Sequence, residues 1–273
     1  MAPLLADRAI ALFDVVALQE PWQNPHKNAT YCPSTSDFYA AYNDQERRSC
    51  FLINKKLNVN TWDIDYSSPD VCSLRLELPG LVLWIHNFYN QPPGSYSTTD
   101  YPSSLGLLPD LLSREGEHLA LGDFNLHHPL WSGPGNPAAH RAADAVVNTL
   151  VSWDMELATP RGLVTWEARG LTSTIDLAFV SQTVQHRLVE CNTYTALDHG
   201  SDHFPVSLQF ELYPARAEAQ PTRAWKKADR DLVLTTTNQC LLLPGQMPSS
   251  SYINTYTDYL VTFTQDLVEK AVP

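Results

Sequence analysis

The chain lacks any pair of cysteines in a C-x-x-C spacing. Its five cysteines, Cys32, Cys50, Cys72, Cys191 and Cys240, are odd in number and widely separated. Neither a zinc site nor a disulfide framework is expected from them, and a reducing, intracellular compartment is the default. No apolar run approaches the roughly 20 residues that span a bilayer, so no membrane association is expected. Asp7, Arg8 and Asp14 interrupt the N-terminal residues, which leaves no secretory core. Positive charge is scarce too: 18 Lys and Arg stand against 30 Asp and Glu, for a net charge of −12. There is no Lys/Arg-rich import run. Net charge of this sign works against tight phosphate binding, which is largely electrostatic. Two readings stay open. Either the acidity belongs partly to a metal site and partly to solvated surface, or the chain does not bind nucleic acid tightly.

What is present suits a packed α/β chain. At 273 residues with 44% hydrophobic residues, it holds one large domain or a domain with an appendage. Val15-Val16-Ala17-Leu18, Leu81-Val82-Leu83-Trp84-Ile85 and Leu119-Ala120-Leu121 are continuous apolar runs, hence buried strands. Ser173–Val180 and Phe204–Phe210 read as two more. Val71–Leu78 alternates at period two, so it is a half-exposed strand, with Pro79-Gly80 as its turn. Phe38–Tyr42 and Cys50–Asn54 are shorter strand candidates. Met1–Ile10 reads as a helix, and Pro92-Pro93-Gly94 starts a loop. Ala138–Ala158 carries helical periodicity and ends near Pro160. Residues 214–230 read as a linker, and Ser251–Val272 as an amphipathic helix. The expected division is a domain over 1–213 and a linker plus helix over 214–273.

Polar residues cluster where these strands end. Glu20 follows the first buried run, in Gln19-Glu20-Pro21-Trp22. Asp123 and Asn125 close another, in Gly122-Asp123-Phe124-Asn125. Asp176 lies inside an apolar strand and needs a partner; His203, in Ser201-Asp202-His203, is the natural one. An Asp–His pair fixes the imidazole tautomer and raises its basicity. A carboxylate, an amide and an imidazole on rigid strand ends are what phosphate hydrolysis needs. A hard divalent cation takes one or two carboxylates plus water and substrate oxygens, and Glu20 is the first candidate ligand. By residue type alone, Asp123 and Asn125 also suit a turn, Glu20 a surface acid, His203 a satisfied core position and Tyr89 plain packing. Trp22, Trp131 and Trp166 are expected to anchor core or loops, and His127 and His128 to pack or line a loop.

Five motifs in order carry a resemblance: Q-E-P-W, N-F-Y-N-Q-P, G-D-F-N-L-H-H-P-L-W, S-T-I-D-L-A-F-V and S-D-H-F-P-V. Together they resemble the endonuclease/exonuclease/phosphatase superfamily. The H-H-P-L-W extension is similar to the endonuclease domains of non-LTR (LINE-like) retrotransposons, fungal copies especially. The resemblance implies a DNase I-like fold: α/β, a four-layer, two-sheet β-sandwich flanked by helices, here with a C-terminal helical tail. It implies Glu20 as a metal ligand supported by Asp202, with Mg²⁺ or Mn²⁺ as cofactor. It implies Asp123 and Asn125 as the pair that prepares the attacking water, Asp176 as the partner of His203, and His203 with Tyr89 on the phosphate. The implied activity is metal-dependent nicking of DNA to leave a 3′-hydroxyl, nuclear in its setting. A reverse transcriptase domain follows in full-length relatives, and Thr165-Trp166-Glu167 resembles a family hairpin near the DNA.

One departure stands beside the matches. Members of the superfamily begin with a central strand bearing an asparagine ahead of the metal-binding glutamate. No asparagine precedes Glu20 here, and the first strand is expected to be missing, with sheet edges left open. Two alternatives to the active nuclease follow: a catalytically impaired remnant of the domain, or a phosphatase of the same fold.

Overall fold

A computed structural model describes the whole chain except residues 1, 25, 27–28, 43–46, 93–103, 134–139, 198–199, 218–224, 241–249 and 273. The loop expected from Pro92-Pro93-Gly94 falls largely outside these residues. The chain divides into two units, Met1–Ala217 and Glu218–Pro273. That division falls past residue 213 because Ala217 N–H donates to Lys56 C=O at 2.7 Å and Asn58 N–H to Ala215 C=O at 2.9 Å.

The first unit opens with a short helix, α1 (Ala2–Ala6), and a 3₁₀ turn capped by Asp7, whose carboxylate accepts from Ala9 N–H at 2.8 Å. Strand β1 (Val15–Gln19) follows, then two short strands, β2 (Gln23–Asn24) and β3 (Ala29–Thr30). Next come β4 (Phe38–Ala41), β5 (Ser49–Asn54), β6 (Trp62–Ser68), β7 (Val71–Leu78) and β8 (Leu81–Tyr89). Helix α2 (Leu108–Leu112) leads into β9 (Glu117–Asp123), and α3 (Arg141–Ser152) into β10 (Met155–Leu157). The rest is β11 (Trp166–Ala168), β12 (Leu171–Ser173), β13 (Asp176–Ser181), α4 (Gln182–Gln185), β14 (Leu188–Thr193) and β15 (Val206–Phe210).

One sheet has six strands in the order β10-β13-β9-β8-β7-β6. Only β8 and β9 run parallel in it, which their long connection through α2 permits. The facing sheet has β1-β5-β4 in one piece and β14-β15 in another. Phe51 and Ile53 of β5, Leu74 of β7 and Leu83 and Ile85 of β8 fill the space between the sheets. Val15 and Ala17 of β1 and Leu208 and Phe210 of β15 reach the same core. Behind the six-stranded sheet, α2 and α3 pack Leu108, Leu111, Val146 and Leu150 on Phe88, Phe124 and the fully buried Trp131. Burying each such side chain contributes on the order of 1.5–3 kcal/mol. On the far side, Leu4 and Ile10 cover Leu52 and Phe38. Four layers result, in the DNase I-like arrangement.

Two edges stay open among the described residues. β1 pairs with β5 alone, and β15 with β14 alone. Every residue of β1 is half-buried although four of the five are apolar, whereas the central β5 is buried along its length.

Three local expectations differ from what is found. The helix predicted through Ala158 stops at Ser152, because Asp154 turns the chain at φ 49° and Met155–Leu157 pairs with β13. Asp176 is not inside a strand but is the first residue of β13, after a break at Thr174-Ile175. Trp22 anchors no core, being 52% exposed, while Trp131 does at 0%.

The second unit holds a 3₁₀ turn (Trp225–Lys227), α5 (Arg230–Cys240) and α6 (Ser250–Ala271). Asp229 N–H donates to Ala271 C=O at 2.8 Å, which ties the end of α6 to the start of α5. No helix among the described residues is long and apolar enough to cross a membrane.

Candidate active site

The site begins with a glycine. In the parallel pairing of β8 with β9, Gly122 sits opposite Phe88. A Cβ there would lie 2.0 Å from the Phe88 carbonyl oxygen, and φ is 136°. Only glycine lets the two strands close, and closure carries Asp123 to the end of the sheet.

Past Asp123 the chain turns through Asn125, whose φ of 48° is left-handed. Asparagine tolerates that region through its short polar side chain. Its amide donates to Asp123 Oδ2 at 2.6 Å and to Asn90 C=O at 2.8 Å, and its N–H to Asp123 Oδ1 at 3.1 Å. Asn90, buried, clamps the turn from the other side: its amide donates to Phe124 C=O at 2.7 Å and its N–H to Asp123 C=O at 2.8 Å.

The antiparallel register of β9 and β13 sets Asp176 directly opposite Asp123. Both Asp176 oxygens lie near His203 Nδ1, at 2.9 and 3.1 Å. Asp123, Asp176 and His203 thus present ligand atoms within 4.8 Å of one another. Burial pushes the Asp123 carboxyl up to about 7, and the charge of Asp176 adds to it. Burial alone would lower His203, but the hydrogen bond and charge of Asp176, with Asp123 and Asp202 behind, lift it to about 9. A carboxylate and an imidazolium are driven apart in this way by one neighbour that serves both.

Thr165, fully buried, holds the loops that bring these strands together. Its hydroxyl accepts from Ile175 and Asp176 N–H at 3.0 Å each, and its carbonyl accepts from Phe204 N–H at 2.7 Å. Trp166 then bridges to His203 in the backbone.

Glu20 approaches from the facing sheet. It is exposed, at φ 46°, a strained conformation for a residue that precedes proline. Its N–H donates to Arg48 C=O at 2.7 Å. The Tyr89 hydroxyl is hydrogen-bonded to the Glu20 carboxylate; burial first, then Glu20 and Asp123, keep that phenol protonated well above its usual range. Tyr89 therefore links Glu20 to the Asp123 cluster. Below them Asn87, fully buried, staples the sheets: its amide donates to Leu18 and Cys50 carbonyls at 3.1 and 2.9 Å, and its oxygen accepts from Gln19.

Asp202 is not brought into the cluster. It is exposed, and its carboxylate accepts from Trp166 Nε1 at 3.0 Å. His127 and His128 sit in the loop after Asn125, against His140 and Trp131 respectively. Asn87, Asn90, Thr165 and Arg48 escaped sequence reasoning as site residues; only the N-F-Y-N spacing around Tyr89 hinted at two of them.

The donor set suits a hard divalent cation. Glu20 offers an exposed carboxylate, and the crowding of Asp123 against Asp176 is of the kind a cation relieves.

Residues 83–207 match the family model described as "Endonuclease-reverse transcriptase". Among solved structures, the endonuclease domain of TRAS1, a telomere-specific non-LTR retrotransposon, is similar at 14% identity, covering 77% of this chain and 91% of that one, with a TM-score of 0.56. The 3′-5′ exonuclease NExo from Neisseria meningitidis is similar at 19% identity, over 76% and 91%, also with a TM-score of 0.56. The catalytic domain of Xenopus laevis APE2 gives 13%, 76% and 86%, and 0.56. No curated protein matches the chain. Fold and family match agree: the chain carries a domain of the endonuclease/exonuclease/phosphatase superfamily, of the kind described as endonuclease-reverse transcriptase.

Proposed function

We propose that this chain is a metal-dependent phosphodiesterase that nicks DNA, with Asp123 as the residue that prepares water. The observation that carries this reading is the shared Asp176: it pairs with His203 while standing opposite Asp123, so a base and an acid are set a few ångströms apart. Asn125 and Asn90 hold Asp123 in place. Asp123 takes a proton from the attacking water, and Asn125 fixes which carboxylate oxygen faces it. Protonated His203 donates to a non-bridging phosphate oxygen as negative charge builds. The protonated Tyr89 hydroxyl is a second donor. Glu20 would hold Mg²⁺ or Mn²⁺, with water and substrate oxygens completing its shell; Asp202 would support that site only through Trp166 and His203. The cation, when bound, neutralises charge on the phosphate and leaving group. DNA as substrate and the nucleus as setting follow from the likeness to retrotransposon endonucleases, as does a reverse transcriptase domain in longer relatives.

Supercoiled plasmid incubated with the purified chain and Mg²⁺ tests the reading. Open-circular product should form, and should vanish with EDTA and with Asp123→Ala. Nicking that survives Asp123→Ala would refute it.

A second reading is favoured by the open edges of β1 and β15, which flank one core with no strand paired between them. Under it this chain is an impaired form that lacks the asparagine-bearing first strand of the superfamily. Fusing such a strand ahead of Ala2 should then raise nicking by at least about tenfold, since the groups of such a site act as a unit; an unchanged rate would refute it. The phosphatase alternative predicts release of phosphate from a 3′-phosphorylated DNA hairpin without plasmid nicking.

A further inference from the structure

Arg48 and Asp70 lie outside every motif that marked the site, yet four contacts close them into it. Glu20 N–H donates to Arg48 C=O at 2.7 Å, and the Glu20 carboxylate holds the Tyr89 hydroxyl. Tyr89 N–H donates to Asp70 C=O at 2.9 Å. The Asp70 carboxylate pairs with the Arg48 guanidinium, Nε lying 2.6 Å from Oδ1 and a terminal N–H donating to Oδ2 at 2.7 Å. The guanidinium carbon stands 5.4 Å from the Tyr89 ring centroid. The side chain of Asp70 is 9% exposed and that of Arg48 28%.

These facts describe a pre-organised cation. One edge of the guanidinium is fixed on a buried carboxylate, and its position is set against an aromatic ring. The other edge is partly open, facing a neutral acceptor. In the amide orientation that satisfies it, the Gln91 side-chain oxygen lies 2.5 Å from both terminal nitrogens. A phosphate oxygen would replace that amide with a charged acceptor in the same fork. The positive charges acting on Tyr89, Asp70 and Asp123 come from Arg48 and His203. In a chain of net charge −12, a polyanionic substrate needs such local cations to approach the carboxylates.

We infer that Arg48, held by Asp70, binds a backbone phosphate of the substrate on the Glu20 side of the site, beside Tyr89. This rests on the proposed DNA-nicking function. Arg48 is a binding residue here, and Asp70 a positioning residue that acts through it.

The test uses the full chain and two readouts. A fluorescently labelled DNA duplex is titrated in EDTA over a series of salt concentrations, which reads binding without activity. Plasmid nicking with Mg²⁺ gives kcat and KM. Arg48→Ala should weaken binding about tenfold and reduce the salt-dependence slope by about one, with KM raised more than kcat is lowered. Arg48→Lys keeps the charge and loses the fork, so it should restore the slope and only part of the affinity. Asp70→Asn should weaken binding while leaving the slope near that of the parent. Circular dichroism checks folding; should Arg48→Ala not fold, Arg48→Gln, which keeps a donor toward Asp70, serves in its place. A folded Arg48 variant with unchanged affinity and slope would overturn the inference. A parent chain that binds DNA without nicking leaves the binding comparison intact and counts against the proposed activity alone. A parent chain that does not bind DNA at all overturns both.

Discussion

At Asp123, burial pushes the carboxyl up to about 7, and Asp176 adds to it. At His203, the pull of burial is outweighed by Asp176, and the imidazole holds its proton to about 9. The proposed roles need Asp123 ionised and His203 protonated, so nicking should rise with pH up to about 7 and fall above about 9. A pH profile of kcat/KM on plasmid checks both limbs. Asp176→Asn removes the hydrogen-bonded charge that lifts His203, so the alkaline limb should move toward lower pH. The same pair has a stability signature. A histidine raised in the fold contributes stability that is present below its ordinary value of about 6.5 and is lost as pH climbs to about 9. Unfolding midpoints of the parent chain and of His203→Ala should therefore converge on the alkaline side. Asn90 acts through geometry rather than charge. Asn90→Ala leaves the Phe124 carbonyl without its donor and should cost about 1–3 kcal/mol in urea unfolding. It should also lower kcat by loosening the Asp123 turn.

Elements place these residues through register. Parallel pairing of β8 with β9 carries Tyr89 level with Asp123, and antiparallel pairing of β9 with β13 carries Asp176 level with the same residue. The join is as close as it is because Gly122 has no side chain. Gly122→Ala sets a methyl group against the Phe88 carbonyl and forces a positive φ on alanine. It should cost at least about 2 kcal/mol and lose nicking altogether, as urea denaturation and the plasmid assay would show. The strands themselves were legible in the sequence. Val15–Gln19, Leu81–Tyr89 and Glu117–Asp123 follow continuous apolar runs, since a strand buried on both faces has no polar side to reveal. The end of α3 was not legible. Helical spacing continues through Val151, and Met155–Leu157 is a strand because β13 offers it an edge. Local periodicity carries no record of that partner.

Over the whole chain, the first unit has its own three hydrophobic clusters, with members drawn from residues 4–212. A chain ended after Ala217 should keep the main unfolding transition and the plasmid-nicking rate of the parent within about twofold, measured by thermal denaturation and the same nicking assay. Loss of the transition would show that α5 and α6 support the fold of the first unit.

Residue type and order by themselves determined the class of chemistry. Acids, an amide and an imidazole at the ends of apolar runs point to phosphate hydrolysis whatever their distances, because the side-chain functional groups are local properties. Glu20, Tyr89, Asp123, Asn125, Asp176 and His203 could all be named on that basis. What the tertiary structure alone decided was which of them meet. It linked Glu20 to Asp123 through the Tyr89 hydroxyl, turned the Asp202 carboxylate to Trp166, and brought in Arg48, Asp70, Asn87, Asn90 and Thr165, which nothing in their local sequence sets apart. Contacts between strands distant in the chain arise from sheet register and from which buried polar groups find partners. Those are properties of the packed whole, and no short window of sequence contains them.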